Sequence, residues 1–182
     1  LALPETLFAG IGNLAYVSIP MFVLMGAAIA ASPAGRDLYS ALDRWLNRVP
    51  GGLVISNIGA CAIFSGMTGS SPATCAAIGK MGIPEMMGRG YPSSAACGSI
   101  AAGGTLGILI PPSVTMIVYG IATETSIGRL FLAGVFPGLM LTVMFMICAL
   151  LQCRRQGFGL ADRALRFSLA EKLRPLPRVL PF

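Results

Sequence analysis

Four segments of this chain, 6–35, 49–79, 90–123 and 130–153, contain no charged side chain. Each is longer than the about 20 apolar residues that carry a helix across a hydrocarbon core of ~30 Å. A helix buried in a water-soluble domain is rarely apolar on every side for so long. Only 11% of the residues are charged, against about 25% in an ordinary soluble domain. These features define an all-α polytopic membrane protein, with the lipid bilayer as its solvent. The first segment is no secretory leader, because its leading charge is Glu5 and its apolar run is too long.

The formal charge of +6 suggests nucleic acid only superficially. Arg154, Arg155, Arg163, Arg166, Lys172, Arg174 and Arg178, set against Asp162 and Glu171, leave +5 beyond the last apolar segment. A basic cluster just past a span marks a cytoplasmic flank, so no nucleic-acid partner is expected. The five cysteines form no CxxC pair and read as small packing residues. Histidine is absent, which removes Ser-His and Cys-His catalysis and His-ligated metals. Ser65, Ser70 and Ser71 therefore lack the base that a hydrolytic nucleophile needs, and no enzyme is expected.

Along the chain, 1–35 reads as a spanning helix on the scaffold side, running from Leu7 to Ala31 with a kink at Pro20. Residues 36–48 form an amphipathic arm in the interface, with Leu38, Leu42, Trp45 and Val49 on one face and Trp45 at headgroup depth. The remainder, 49–153, makes half of a transport domain. As one straight helix, 49–79 would reach about 46 Å, beyond the apolar core. Its middle, Ser65-Gly66-Met67-Thr68-Gly69-Ser70-Ser71-Pro72, is a poor helix interior, so a re-entrant hairpin is expected. Residues 90–123 form a broken helix, interrupted by Gly103-Gly104-Thr105-Leu106-Gly107 and by Pro111-Pro112-Ser113. Residues 130–153 span again. Residues 154–182 form a basic cytoplasmic segment with an amphipathic helix over 160–173 and a capping box from Ser168 to Glu171. Charge places 36–48 and 80–89 inside, and Glu5 and 124–129 outside.

Two broken, Gly/Ser/Thr-rich elements point to a transporter binding site. Unwound carbonyls and hydroxyls are hard oxygen donors suited to sodium as coupling ion. N–H groups at half-helix starts favour an anionic substrate. The candidates are Ser65, Gly66, Thr68, Gly69, Ser70 and Ser71 at the tip, and Gly103, Gly104, Thr105, Gly107, Pro111, Pro112 and Ser113 at the break. The alternatives are another ion-coupled anion transporter of related elevator architecture, or a passive channel or structural membrane subunit, though no charged ring or carbonyl-repeat filter is present for a channel.

These residues also carry a resemblance. Ile19-Pro20-Met21-Phe22-Val23-Leu24-Met25-Gly26, Pro50-Gly51-Gly52-Leu53 and the tip Ser65 through Thr74 resemble, in order and spacing, the large permease of TRAP (tripartite ATP-independent periplasmic) transporters of the dicarboxylate type. So do Ile83-Pro84-Glu85-Met86, Arg89-Gly90-Tyr91, the block from Gly103 through Ser113, and the run from Ser126 through Gly138. The resemblance implies an elevator-type, sodium-driven importer of organic anions in the bacterial inner membrane. It further implies a small TRAP membrane subunit and a periplasmic solute-binding protein as partners. Pro72 stands where the family usually carries a small aliphatic residue. Nothing after Cys153 resembles the family's second half, and the chain begins at Leu1. A fragment covering roughly the first inverted repeat is therefore expected.

Overall fold

The computed structural model describes residues 15–46 and 51–157. Seven helices follow one another, and no strand occurs among these residues: α1 Ala15–Ala31, α2 Ala34–Leu46, α3 Gly52–Thr68, α4 Ser71–Gly88, α5 Ser93–Leu109, α6 Val114–Ala122 and α7 Ile127–Gln156. Ser93–Ala122 (α5 and α6 with the break between them) and Ile127–Gln156 are each long and apolar enough to cross a membrane. The α1–α2 pair adds a third candidate, bent by 61°.

The helices α3 and α4 form an antiparallel hairpin turning at Gly69-Ser70. Gly69 has φ +62°, a conformation that glycine adopts without steric penalty, and its N–H closes α3 on Ser65 O at 2.8 Å. Ser70 then caps α4, its Oγ accepting from Ala73 N, with Pro72 in the first turn, where a missing N–H is harmless. Further down, Gly82 lies directly against the Asn57 amide. Small residues let α5 settle onto both arms: Gly103 packs against Cys61, and Gly104 against Cys75. Leu53, Ile58, Phe64, Ile78, Ile100 and Leu106 fill the core between these three helices. The last helix, α7, closes one side, with Gly134 and Gly138 against Leu109 and Ile110. Its opposite face presents Leu132, Phe136, Leu139, Val143 and Ile147 outward, as a lipid-facing surface would.

One sequence expectation changes. The hairpin does not end at residue 79, because α4 continues through Lys80 and Pro84 to Gly88. Thr74, Ile78, Gly82 and Met86 recur every fourth residue and are all buried, and that packing outweighs the donor lost at Pro84. The arm is a helix that packs on the hairpin. It runs from 34 to 46 with Ala34, Gly35, Leu38, Tyr39 and Asp43 buried against the hairpin, while Trp45 is half exposed. Asp43 occupies the inward face because Arg89 meets it there. Val49, the start of the first span and the 160–173 helix with its capping box lie outside the described residues.

Candidate functional site

The hairpin tip and the break between α5 and α6 meet. Residues 110–113 make no helical turn of their own: Ile110 N–H closes α5 on Leu106 O at 2.8 Å, Ser113 O accepts from Ile117 N–H at the start of α6, and the Pro111–Pro112 bond is cis. Across the junction Val114 N–H donates to Gly69 O at 3.3 Å. A methyl on Gly69 would run into the Pro112 carbonyl, and one on Gly66 would touch Ile110 at 3.3 Å. A methyl on Gly107 would lie 2.8 Å from Ser71 N and 3.0 Å from Ser71 Oγ. Three glycines thus set how closely the two breaks approach. Beside them opens a cleft of about 440 Å³, lined by Val23, Gly26, Thr68 to Ala73, Ile108, Val114 and Thr115.

Hydroxyls at this junction fall into two groups. Ser65 Oγ and Thr68 Oγ1 each lie 3.3 Å from Thr74 Oγ1, which donates to Ser70 O at 2.9 Å. All three side chains are buried, and the knot they form rigidifies the tip. The Ser71 and Ser113 hydroxyls are buried too, yet have no hydrogen-bond partner among the described residues. Buried polar atoms in native proteins are overwhelmingly paired, so two orphans at one junction call for an explanation. Helix ends of both polarities converge as well: the C-termini of α3 and α5 bring partial negative charge, the N-termini of α4 and α6 partial positive.

Not every residue singled out from sequence sits here. Ser65, Gly66, Thr68, Gly69, Ser70, Ser71, Gly107, Pro111, Pro112 and Ser113 do. Gly103 lies further back on α5, serving its approach to Cys61, while Gly104 packs on the first turn of α4 against Cys75, its Cβ position 3.6 Å from Ser71 O. Thr105 is exposed and donates to Ala102 O at 2.6 Å within its own helix.

Three polar features escaped the sequence reading. Thr74 organises the hydroxyl knot. Asn57, fully buried, reaches Ser99 Oγ at 3.1 Å and Met86 Sδ at 2.9 Å, tying α3 to α4 and α5. Arg89 grips Asp43 with two nitrogens, at 2.8 and 3.3 Å, and also donates from Nε to Glu85 at 2.9 Å. Burial opposes its charge, but the hydrogen bonds to Asp43 and Glu85 outweigh that and hold its pKa above the ordinary guanidinium value. A buried Asn inside an apolar run was the one visible signal. The Asp43–Arg89 pair, far apart in sequence, offered none.

An apolar helical bundle whose hairpin tip and broken helix meet around unwound backbone is a membrane protein of the transporter class. The family described as "Tripartite ATP-independent periplasmic transporter, DctM component" matches residues 1–176, and the chain belongs to it. It is 45% identical over 131 residues to the C4-dicarboxylate TRAP transporter large permease protein DctM of Pseudomonas aeruginosa, covering 72% of this chain and 31% of that protein. It is 36% identical to the ectoine TRAP transporter large permease protein TeaC of Halomonas elongata (88% and 38% covered). It is 33% identical to the sialic acid TRAP transporter large permease protein SiaM of Vibrio cholerae (89% and 38%). The chain spans about a third of the length of these relatives, all of which are named as permeases and none as an enzyme.

Proposed function

We propose that this chain forms one wall of the ion and substrate site in a sodium-coupled importer of small organic anions. The observation that carries the reading is the pair of buried, unpartnered hydroxyls, Ser71 and Ser113, at the junction of two helix breaks. Oxygen donors without a carboxylate suit a monovalent cation, which the C-terminal ends of α3 and α5 also favour. The N-terminal ends of α4 and α6 suit the carboxylate of a substrate. The relatives' names give C4-dicarboxylates, ectoine and sialic acid, and each of these solutes bears a carboxylate. The partners are a small TRAP membrane subunit and a periplasmic solute-binding protein that delivers the anion. The setting is the bacterial inner membrane, with the α4–α5 connection and the segment after residue 153 cytoplasmic.

Reconstitution of the complete permease with both partners into liposomes tests this. Uptake of the binding protein's ligand under an inward sodium gradient is the expected result. Uptake that proceeds equally without sodium would overturn the coupling assignment.

A further inference from the structure

The second helix, α2, is held to the hairpin along its whole length. At its start, Gly35 sits against Phe64 and Ile78, with a Cβ position 3.3 Å from the Phe64 ring. Near its end, Leu42 O accepts from Ser56 Oγ at 3.2 Å. One residue on, Asp43 meets Arg89 just beyond the end of α4, and Arg89 also holds Glu85. The Asp43 and Arg89 side chains are only 12% and 17% exposed. Separating such a pair leaves two poorly solvated charges uncompensated, so sliding α2 along the hairpin is strongly opposed. The preceding helix, α1, meets the hairpin tip through Gly26 against Thr68 O, and among the described residues no ion pair spans the joint between α1 and α2. There Ser32-Pro33 links α1 to α2 at 61°, Pro33 is exposed, and the Ser32 hydroxyl bonds to Ile29 O and Ala34 N.

We propose that Asp43, Arg89 and Glu85 latch α2 to the base of the hairpin so that the two move as one rigid body, and that the chain flexes at Ser32-Pro33. This rests on the transport reading above and adds to it that the hairpin moves. The arm is then part of the moving element, and the joint precedes it. Asp43 and Arg89 are positioning residues, remote from the ion and substrate site.

Two measurements on the complete permease test the proposal separately from that reading. The first is thermal melting of Asp43→Arg, Arg89→Asp and the double reversal. Each single change is expected to lower the melting temperature by roughly 4 °C or more, with most of the loss recovered in the double. Additive losses would show that the latch does not exist. The second uses a background in which the five cysteines are replaced. Asp43→Cys with Arg89→Cys is joined by a short bifunctional thiol reagent, and in parallel Ala30→Cys with Arg36→Cys across the cleft inside the bend. The latch link should leave uptake within about twofold of the unlinked protein, and the bend link should lower it about tenfold or more. Loss of uptake on closing the latch link, or full uptake with the bend link closed, would overturn the rigid-body assignment. Absent uptake in the unlinked parent would count against the transport reading instead, and melting alone would then decide the latch.

Discussion

Replacing Gly69 and Gly90 by alanine makes a matched pair. Both glycines have positive φ, +62° and +80°. Each substitution therefore forces a Cβ into the left-handed region, at about 1–2 kcal/mol. Only the surroundings differ. An alanine methyl at Gly90 meets nothing within 4 Å, whereas at Gly69 it runs into the Pro112 carbonyl. That obstacle is backbone, so the tip must withdraw from the break, and overpacking of this kind adds about 1–3 kcal/mol. If that displacement separates the ligands of one ion site, sodium affinity falls about ten- to hundredfold at ~1.4 kcal/mol per decade. Sodium titration of uptake in proteoliposomes, with melting in parallel, reads both effects. Gly90→Ala should be mildly destabilised with a normal sodium requirement. Gly69→Ala should melt lower still and need far more sodium. Equal melting and equal sodium requirement in the two variants would refute the idea that close approach at this junction builds the site.

Removing the Ser71 or Ser113 hydroxyl by alanine should leave stability unchanged or slightly higher, since neither has a partner among the described residues, but weaken sodium binding about ten- to hundredfold, as loss of a contact to a charged group does. Thr105→Val should change sodium dependence little, because that hydroxyl is exposed and bonded within its own helix; a large effect would place it back in the site. Asn57→Ala should destabilise by about 1–3 kcal/mol through loss of its buried hydrogen bonds, with uptake per folded molecule preserved. Cysteines introduced at the exposed Glu85 and Glu124 should label with an impermeant thiol reagent from opposite faces of the membrane; labelling from one face would contradict the topology.

Much of the architecture was legible because lipid imposes simple rules. Charge-free runs marked the apolar helices, and Gly69-Ser70 and Pro111-Pro112 marked the breaks, since such residues resist helix interiors whatever surrounds them. Tertiary packing was the part that could not be read. The charge at Lys80 suggested an end to the hairpin at residue 79, but the buried faces of Ile78, Gly82 and Met86 carry α4 past it and past Pro84. Asp43 read as one more interfacial charge, because its partner lies 46 residues away. The candidate site was legible as a neighbourhood, the tip and the break that the fold brings together, and not as a set of unpartnered hydroxyls. Sequence marks Ser65, Thr68, Ser71 and Ser113 alike, and only the fold separates hydroxyls consumed in the Thr74 knot from those left unpartnered.

The central claim, that sodium binds where the hairpin tip meets the broken helix, is tested most directly at Pro72, which is exposed and lines the cleft. In the cysteine-free complete permease, the reaction rate of Pro72→Cys with a thiol reagent is measured in sodium and in potassium at equal ionic strength. Sodium should slow the reaction with a saturable dependence, and Ser71→Ala combined with Ser113→Ala should abolish that protection. Identical rates in the two salts, in a protein that still imports its substrate under a sodium gradient, would place the coupling ion elsewhere and contradict the account.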